Sequence, residues 1–364
     1  MRPLTGYFFE DYSLGQAFVH PTPRTITQGD VAIYQGLTGS RNPLHCSQPY
    51  AMSLGYPSMP VDDLLVFHVA FGKTVHDISY NAVANLGYAD CRFLQPVFIG
   101  DTIRAESEVI GLRENSSGKT GIVYVRSDAF NQHGEPVLTW IRWVMVHRRA
   151  PTNKPARAPT GIENVPGEVA AKDFALPAGL KPAVNMASVT GSRRYWEDYA
   201  AIDPTHREKS PGKSVVMTAE IIKHPAGMTI DETDHTLATK LYQNTARVHV
   251  DLHHMKDSRF GRRLVYGGHV MSICRALSFD GLENAQSILA IHGGTHHNPT
   301  FAGDTLYAVS VPTFKTPINK HFGALRVSLS GYKNIDPNDP AFNEETAKEL
   351  KVLSLDYTVL MPRR

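Results

Sequence analysis

The stretch TITQGDVAIYQGLTGSRNPLH, residues 25–45, returns later in the chain as TIDETDHTLATKLYQNTARVH, residues 229–249. A constant shift of 204 aligns them without a gap. Thr25, Ile26, Asp30, Leu37 and His45 then meet Thr229, Ile230, Asp234, Leu241 and His249. The flanks repeat in the same order. FEDY at 9–12 matches WEDY at 196–199, and PVFIGDT at 96–102 matches PTFAGDT at 299–305. The spacing from His45 to Asp101 is 56, and from His249 to Asp304 it is 55. A repeat of this regularity reads as two copies of one structural unit. We place the copies at residues 1–150 and 187–364. Between them lies a linker, 151–186, rich in Pro, Gly and Ala, that is expected to cross the surface rather than enter the core.

Each copy carries one long apolar helical stretch, near Val61–Val75 and Val265–Phe279, followed by strand-like alternation. Ile103, Ala105, Ser107 and Val109 alternate with Arg104, Glu106 and Glu108. Leu353, Leu355, Tyr357, Val359 and Met361 alternate with polar neighbours. Period two marks strands with one buried face. The expected class is α+β, with an antiparallel sheet wrapped round a helix in each half.

Composition narrows the function. With 364 residues, 42% hydrophobic and 20% charged, the chain is ordinary globular protein of two-domain length. A formal charge of +2 lacks the basic excess of a nucleic-acid binder. Cys46, Cys91 and Cys274 form no CxxC pair, which fits a reducing compartment. The N-terminus has no signal-peptide core, and Leu64–Gly72 is too short to span a bilayer. We therefore expect a cytoplasmic protein that binds neither membrane nor nucleic acid.

LTGSRNPLHCSQPYA, residues 37–51, resembles the hydratase motif of the MaoC-like family, which runs small-Gly-Asp-x-Asn-Pro-hydrophobic-His. RFLQPVFIGDT (92–102) and NPTFAGDT (298–305) resemble that family's strand-and-turn signature. Closer still is the likeness to mesaconyl-CoA hydratases, also called β-methylmalyl-CoA dehydratases. It is carried by DDLLVFHVAFGKTVHDIS (62–79), GKTGIVYVR (118–126), LYQNTARVH (241–249), RFGRRLVYGGH (259–269) and the terminal LMPRR. The resemblance implies a tandem double hot-dog and reversible hydration of an enoyl-CoA thioester. Coenzyme A enters as part of the substrate and no other cofactor is needed. Association into a homo-oligomer is compatible with it.

The family's chemistry needs a group that activates water, a proton for the α carbon, and an N–H that holds the developing enolate oxygen. At the motif Asp position stand Ser40 and Asn244; at the His position stand His45 and His249. Eighteen residues past the histidine the first copy has Asp63 and the second has Gly267. A carboxylate beside an oxyanion repels it, whereas glycine at a helix start offers a bare N–H. The working site is therefore expected in the second half, at His249, Asn244, Asp251 and Gly267. Arg259, Arg262, Arg263 and Gly268 are candidates to hold substrate or CoA. His45, Ser40 and Asp63 are secondary candidates. Asp251 also reads as a helix cap, as do Asp62 and Asp63. His253–His254 and THHN at 295–298 lack metal-ligand spacing, and no metal is expected. Three rival readings remain: a hydratase for another enoyl-CoA such as itaconyl-CoA, a non-catalytic acyl-CoA-binding protein, and a thioesterase.

Overall fold

A computed structural model describes residues 3–154, 156–182, 186–201 and 220–364. Parts of the linker (155 and 183–185) and of the second copy (202–219) lie outside the described residues.

Among them, twelve strands form one continuous sheet. The first half contributes β1 (Ala17–Val19), β2 (Arg24–Thr25), β3 (Ala82–Phe93), β4 (Thr102–Glu114), β5 (Thr120–Phe130) and β6 (Pro136–His147). The second contributes β7 (Ile222–Lys223), β8 (Met228–Thr229), β9 (Ile288–His296), β10 (Thr305–Pro317), β11 (Phe322–Lys333) and β12 (Lys351–Pro362). The order is β1-β4-β5-β6-β3-β9-β12-β11-β10-β7, with β2 on β4 and β8 on β10. The halves join where β3 runs antiparallel to β9, with Tyr88 opposite Gly294 and Cys91 opposite Ile291. Under the repeat these two pairs exchange, so a pseudo-two-fold axis passes between them.

Two central helices lie against this sheet. The first spans Asp63–Ile78 and is buried along almost its whole length. The second spans Gly267–Leu277. Each starts where the sequence sets a helix terminus, and each buries apolar side chains on most of its surface together with a few polar ones, His68 and Lys73 on the first and His269 and Ser272 on the second. The architecture is two hot-dogs sharing one sheet. Phe67, Phe71, Tyr88 and Trp140 from the first half and Tyr242, Tyr266, Leu325 and Tyr357 from the second belong to a single core. The helix and loop of opposite halves touch at the backbone: a Cβ on Gly72 would lie 1.8 Å from the Tyr242 carbonyl oxygen. Only glycine permits that approach.

The repeat survives in buried polar contacts. His20 Nε2 meets Ser107 Oγ at 2.7 Å, and His224 Nε2 meets Ser310 Oγ at 2.8 Å. Thr25 and Thr102 share a hydroxyl bond, as do Thr229 and Thr305. The segment expected only to cross the surface does more than that. Val169 is buried and its N–H donates to His292 Nδ1, while Phe174 and Leu180 pack on Leu289, Phe322, Ala324 and Leu360. Its spaced apolar residues find an exposed sheet face to cover, which offsets the entropy of ordering a Pro- and Gly-rich segment.

Candidate functional site

Both repeat histidines are held alike. Each sits in a short helical turn, Pro43–Cys46 and Arg247–Val250. His45 Nδ1 lies 3.1 Å from the Pro60 carbonyl and His249 Nδ1 lies 2.9 Å from the Leu264 carbonyl. Pro60 and Leu264 are equivalent, each three residues before its central helix. A carbonyl only accepts, so Nδ1 carries the hydrogen and Nε2 is left for chemistry.

In the second half, His249 is half-buried, and burial brings its pKa down to about 4. The Leu264 bond opposes the shift and nearby His235 adds to it. The ring is neutral at pH 7 and can accept a proton. Gly267 opens the second central helix, so its N–H and that of Gly268 have no intrahelical acceptor. Against Gly267 stands a residue that sequence reasoning missed. A Cβ there would lie 2.6 Å from Cε1 of His296. His296 reaches the Tyr88 hydroxyl at 3.2 Å, and burial, with help from His297 and His249, brings its pKa down to about 4. His249, Gly267 and His296 therefore lie together. Tyr266, the N-cap of the helix, closes one side with its ring centre 5.7 Å from that of His249.

Asn244 is buried, and its Oδ1 accepts the Ala246 N–H at 3.0 Å, which leaves its amide NH2 available. It lines a cavity of about 630 Å³ between the halves, with Gly72, Lys73, His76 and Gln243. Lys73, from the first central helix, is buried and donates to the Gln243 amide oxygen. Burial, and to a lesser degree Arg24, pull its pKa down to about 8. It is a cation whose partner is an amide rather than a carboxylate.

Several other candidates have different places. Asp251 caps the turn Leu252–Met255, its carboxylate accepting the His254 N–H at 2.9 Å. The cap reading of Asp251 is thereby observed. Arg259 and Arg262 lie over the Phe260 and Phe301 rings, and Arg263 pairs with Glu232 and Thr236. They spread over separate partners instead of forming one clamp. Gly268 is a packing position: a Cβ would press within 2.6 Å of both Tyr266 and His68. His296 and His297 bond to different partners, Tyr88 and Ser354. No group of three His, Cys, Asp or Glu side chains able to hold a metal occurs among the described residues.

The first half differs in kind. Asp62 caps the helix through the Leu64 N–H, but Asp63, also expected to cap, turns its Oδ2 to the Ile288 N–H at 2.7 Å. The same oxygen lies 3.8 Å from His45 Nε2. Ser40 Oγ reaches Asp62 at 3.3 Å.

Mesaconyl-CoA hydratase is the family that matches residues 4–334. A β-methylmalyl-CoA dehydratase from Chloroflexus aurantiacus is 49% identical over 99% of this chain and 98% of its own. A mesaconyl-CoA hydratase from Cereibacter sphaeroides is 46% identical over the whole of both chains. Among solved structures, a putative MaoC domain protein dehydratase from Chloroflexus aurantiacus superposes with TM-score 0.89 at 48% identity, covering 100% of this chain and 99% of that one. A conserved hypothetical protein from Mycobacterium tuberculosis with a double hotdog fold superposes with TM-score 0.73 at 23% identity, over 99% of each chain. The family match and the two relatives span nearly the whole length of these paired hot-dogs, and the chain belongs to the mesaconyl-CoA hydratase family.

Proposed function

We propose that the chain reversibly hydrates mesaconyl-CoA to β-methylmalyl-CoA, and that the chemistry runs in the second half. The observation that carries the site is Gly267 at a helix start, beside His249 and His296. The thioester oxygen takes the Gly267 N–H, where the helix dipole favours negative charge. Asn244 orients the water. His249 Nε2 removes a water proton as the oxygen bonds to the β carbon, and the π electrons move onto the thioester oxygen. The imidazolium returns its proton to the α carbon as the enolate collapses. One imidazole thus serves as base and then acid, which accounts for a motif without its Asp. His296 and Tyr266 wall the site.

Lys73 supports the choice of substrate. A dicarboxylic acyl group needs a cation at the end of a short pocket, and Lys73 lies in the cavity that Asn244 lines. Incubation with mesaconyl-CoA and crotonyl-CoA, followed by loss of the conjugated thioester absorbance, tests the reading. Turnover of the former in preference to the latter is expected, with a loss of about 10²–10³ in His249→Ala. Inertness toward both defeats it and leaves the acyl-CoA-binding alternative.

A further inference from the structure

The working site is expected in the second half because Asp63 stands where the first half's oxyanion donor should be. The cleft of the first half is built all the same. Tyr34, Ser40, Asn42, His45 and Asp63 line it from the first half, and Ser272, Arg275, Gln286 and Ile288 line it from the second. About 20 Å³ of the cleft admits water, which needs at least about 10–15 Å³, and the cleft is open to solvent on one side. His45 is 3% exposed. The second copy has Tyr266 and Gly267 where the first has Asp62 and Asp63.

One side chain in the cleft has no structural purpose of its own. Gln286 is 2% exposed, and neither its amide oxygen nor its amide nitrogen has a partner. Buried amides are nearly always paired. An unpaired one lining a cavity points to a ligand that supplies a donor and an acceptor together.

We infer that the first-half cleft is a second acid–base site for short, polar α,β-unsaturated acyl thioesters, worked by His45 and Asp63. The inference rests on the hydration chemistry proposed above. His45 Nε2 takes a proton from water as the oxygen bonds to the β carbon and the π electrons move to the thioester oxygen. The Asp63 carboxylic acid then protonates the α carbon as the enolate collapses. The proton held by His45 crosses the 3.8 Å gap to the Asp63 carboxylate, restoring both groups. Gln286 receives the polar end of the acyl group.

This reverses the objection to Asp63. Burial raises its pKa to about 6; Asp62 pushes the same way, while His45, Arg275 and the Ile288 N–H oppose it. Tyr56 and Cys91 are the other titratable groups close enough to couple with it. A carboxyl that spends part of its time protonated gives a proton to an enolate instead of repelling it.

The test compares single and double variants. Titration with methylsuccinyl-CoA, the saturated counterpart of mesaconyl-CoA, which cannot be hydrated, should show two sites per chain, and Gln286→Leu should lose one of them. His249→Ala should keep residual turnover of mesaconyl-CoA above the uncatalysed rate. Adding either His45→Ala or Asp63→Asn should lower that residue at least 10-fold, with circular dichroism confirming the fold. A single binding site in the parent protein, or residual turnover indifferent to His45 and Asp63, overturns the second site while the parent enzyme's activity stands. A parent protein inert toward enoyl thioesters fails the proposed function itself.

Discussion

The ring of His296 occupies the space that a side chain on Gly267 would fill, with Cε1 2.6 Å from the Cβ position. Glycine is thus required twice over. In the proposed mechanism its bare N–H faces the place of charge development, and its missing Cβ leaves room for the imidazole from β9. Gly267→Ala forces one of the two to move. The expected result is a fall in kcat of about 10²–10³, the cost of losing one oxyanion donor. Thermal unfolding should shift little, since His296 is only half-buried and can swing away. Full activity in the alanine variant would remove Gly267 from the mechanism.

A neutral His249 gives the reaction an unusual acid limb. Burial keeps its folded-state pKa near 4, against about 6.5 for a free imidazole. The base form therefore persists well below neutrality. kcat/KM for mesaconyl-CoA should be level from pH 8 to about pH 5 and fall with an apparent pKa near 4. A limb centred near 6.5 would show that another group is the base.

In the proposed function, Lys73 separates carboxylate-bearing substrates from plain ones. Lys73→Met keeps the aliphatic volume and removes the charge. A hydrogen bond to a charged group is worth about 1.5–3 kcal/mol, so kcat/KM for mesaconyl-CoA should drop roughly 10–100-fold, mainly through KM. Crotonyl-CoA, which has no distal carboxylate, should be little affected. Equal losses for both would mean that Lys73 serves the shared CoA portion.

The repeat made the fold legible, because two copies of a pattern report the same buried face twice. The central helices begin close to where Asp62 and Tyr266 place their caps, and β4, β11 and β12 follow the alternation. The candidate site was legible where one residue had one reason, as in the choice of Gly267 and His249. It was hidden where the partner comes from the other half. Lys73 reaches Gln243, and Gln286 lines the His45 cleft; neither pairing leaves a spacing in the sequence. His296 was in view in THHN, but its meaning depends on the end of β9 passing Gly267. Asp63 was read as a charge, whereas burial raises its pKa to about 6, and residue types do not reveal that burial.

The same burial governs stability against acid. His292, His249 and His296 are held near pKa 4 and His269 near 3, all chiefly by burial. In the unfolded chain each returns to about 6.5. Between these values the unfolded state binds protons that the folded state refuses, so stability rises with pH through that window. The contribution is complete above about pH 6.5 and is lost as pH falls toward 4. Asp63 runs the other way. Its proton is held in the fold up to about 6, and in the unfolded chain only to about 3.9. One carboxyl does not offset four imidazoles, so the urea midpoint should drop between pH 7 and pH 5. His292 offers a check on the assignment, since its ring bonds the Val169 N–H and Thr358 rather than any charged partner. In His292→Gln the midpoint at pH 7 should fall, while the drop on acidification becomes shallower. A midpoint that holds or rises as the solution is acidified would mean that these rings are protonated within the fold.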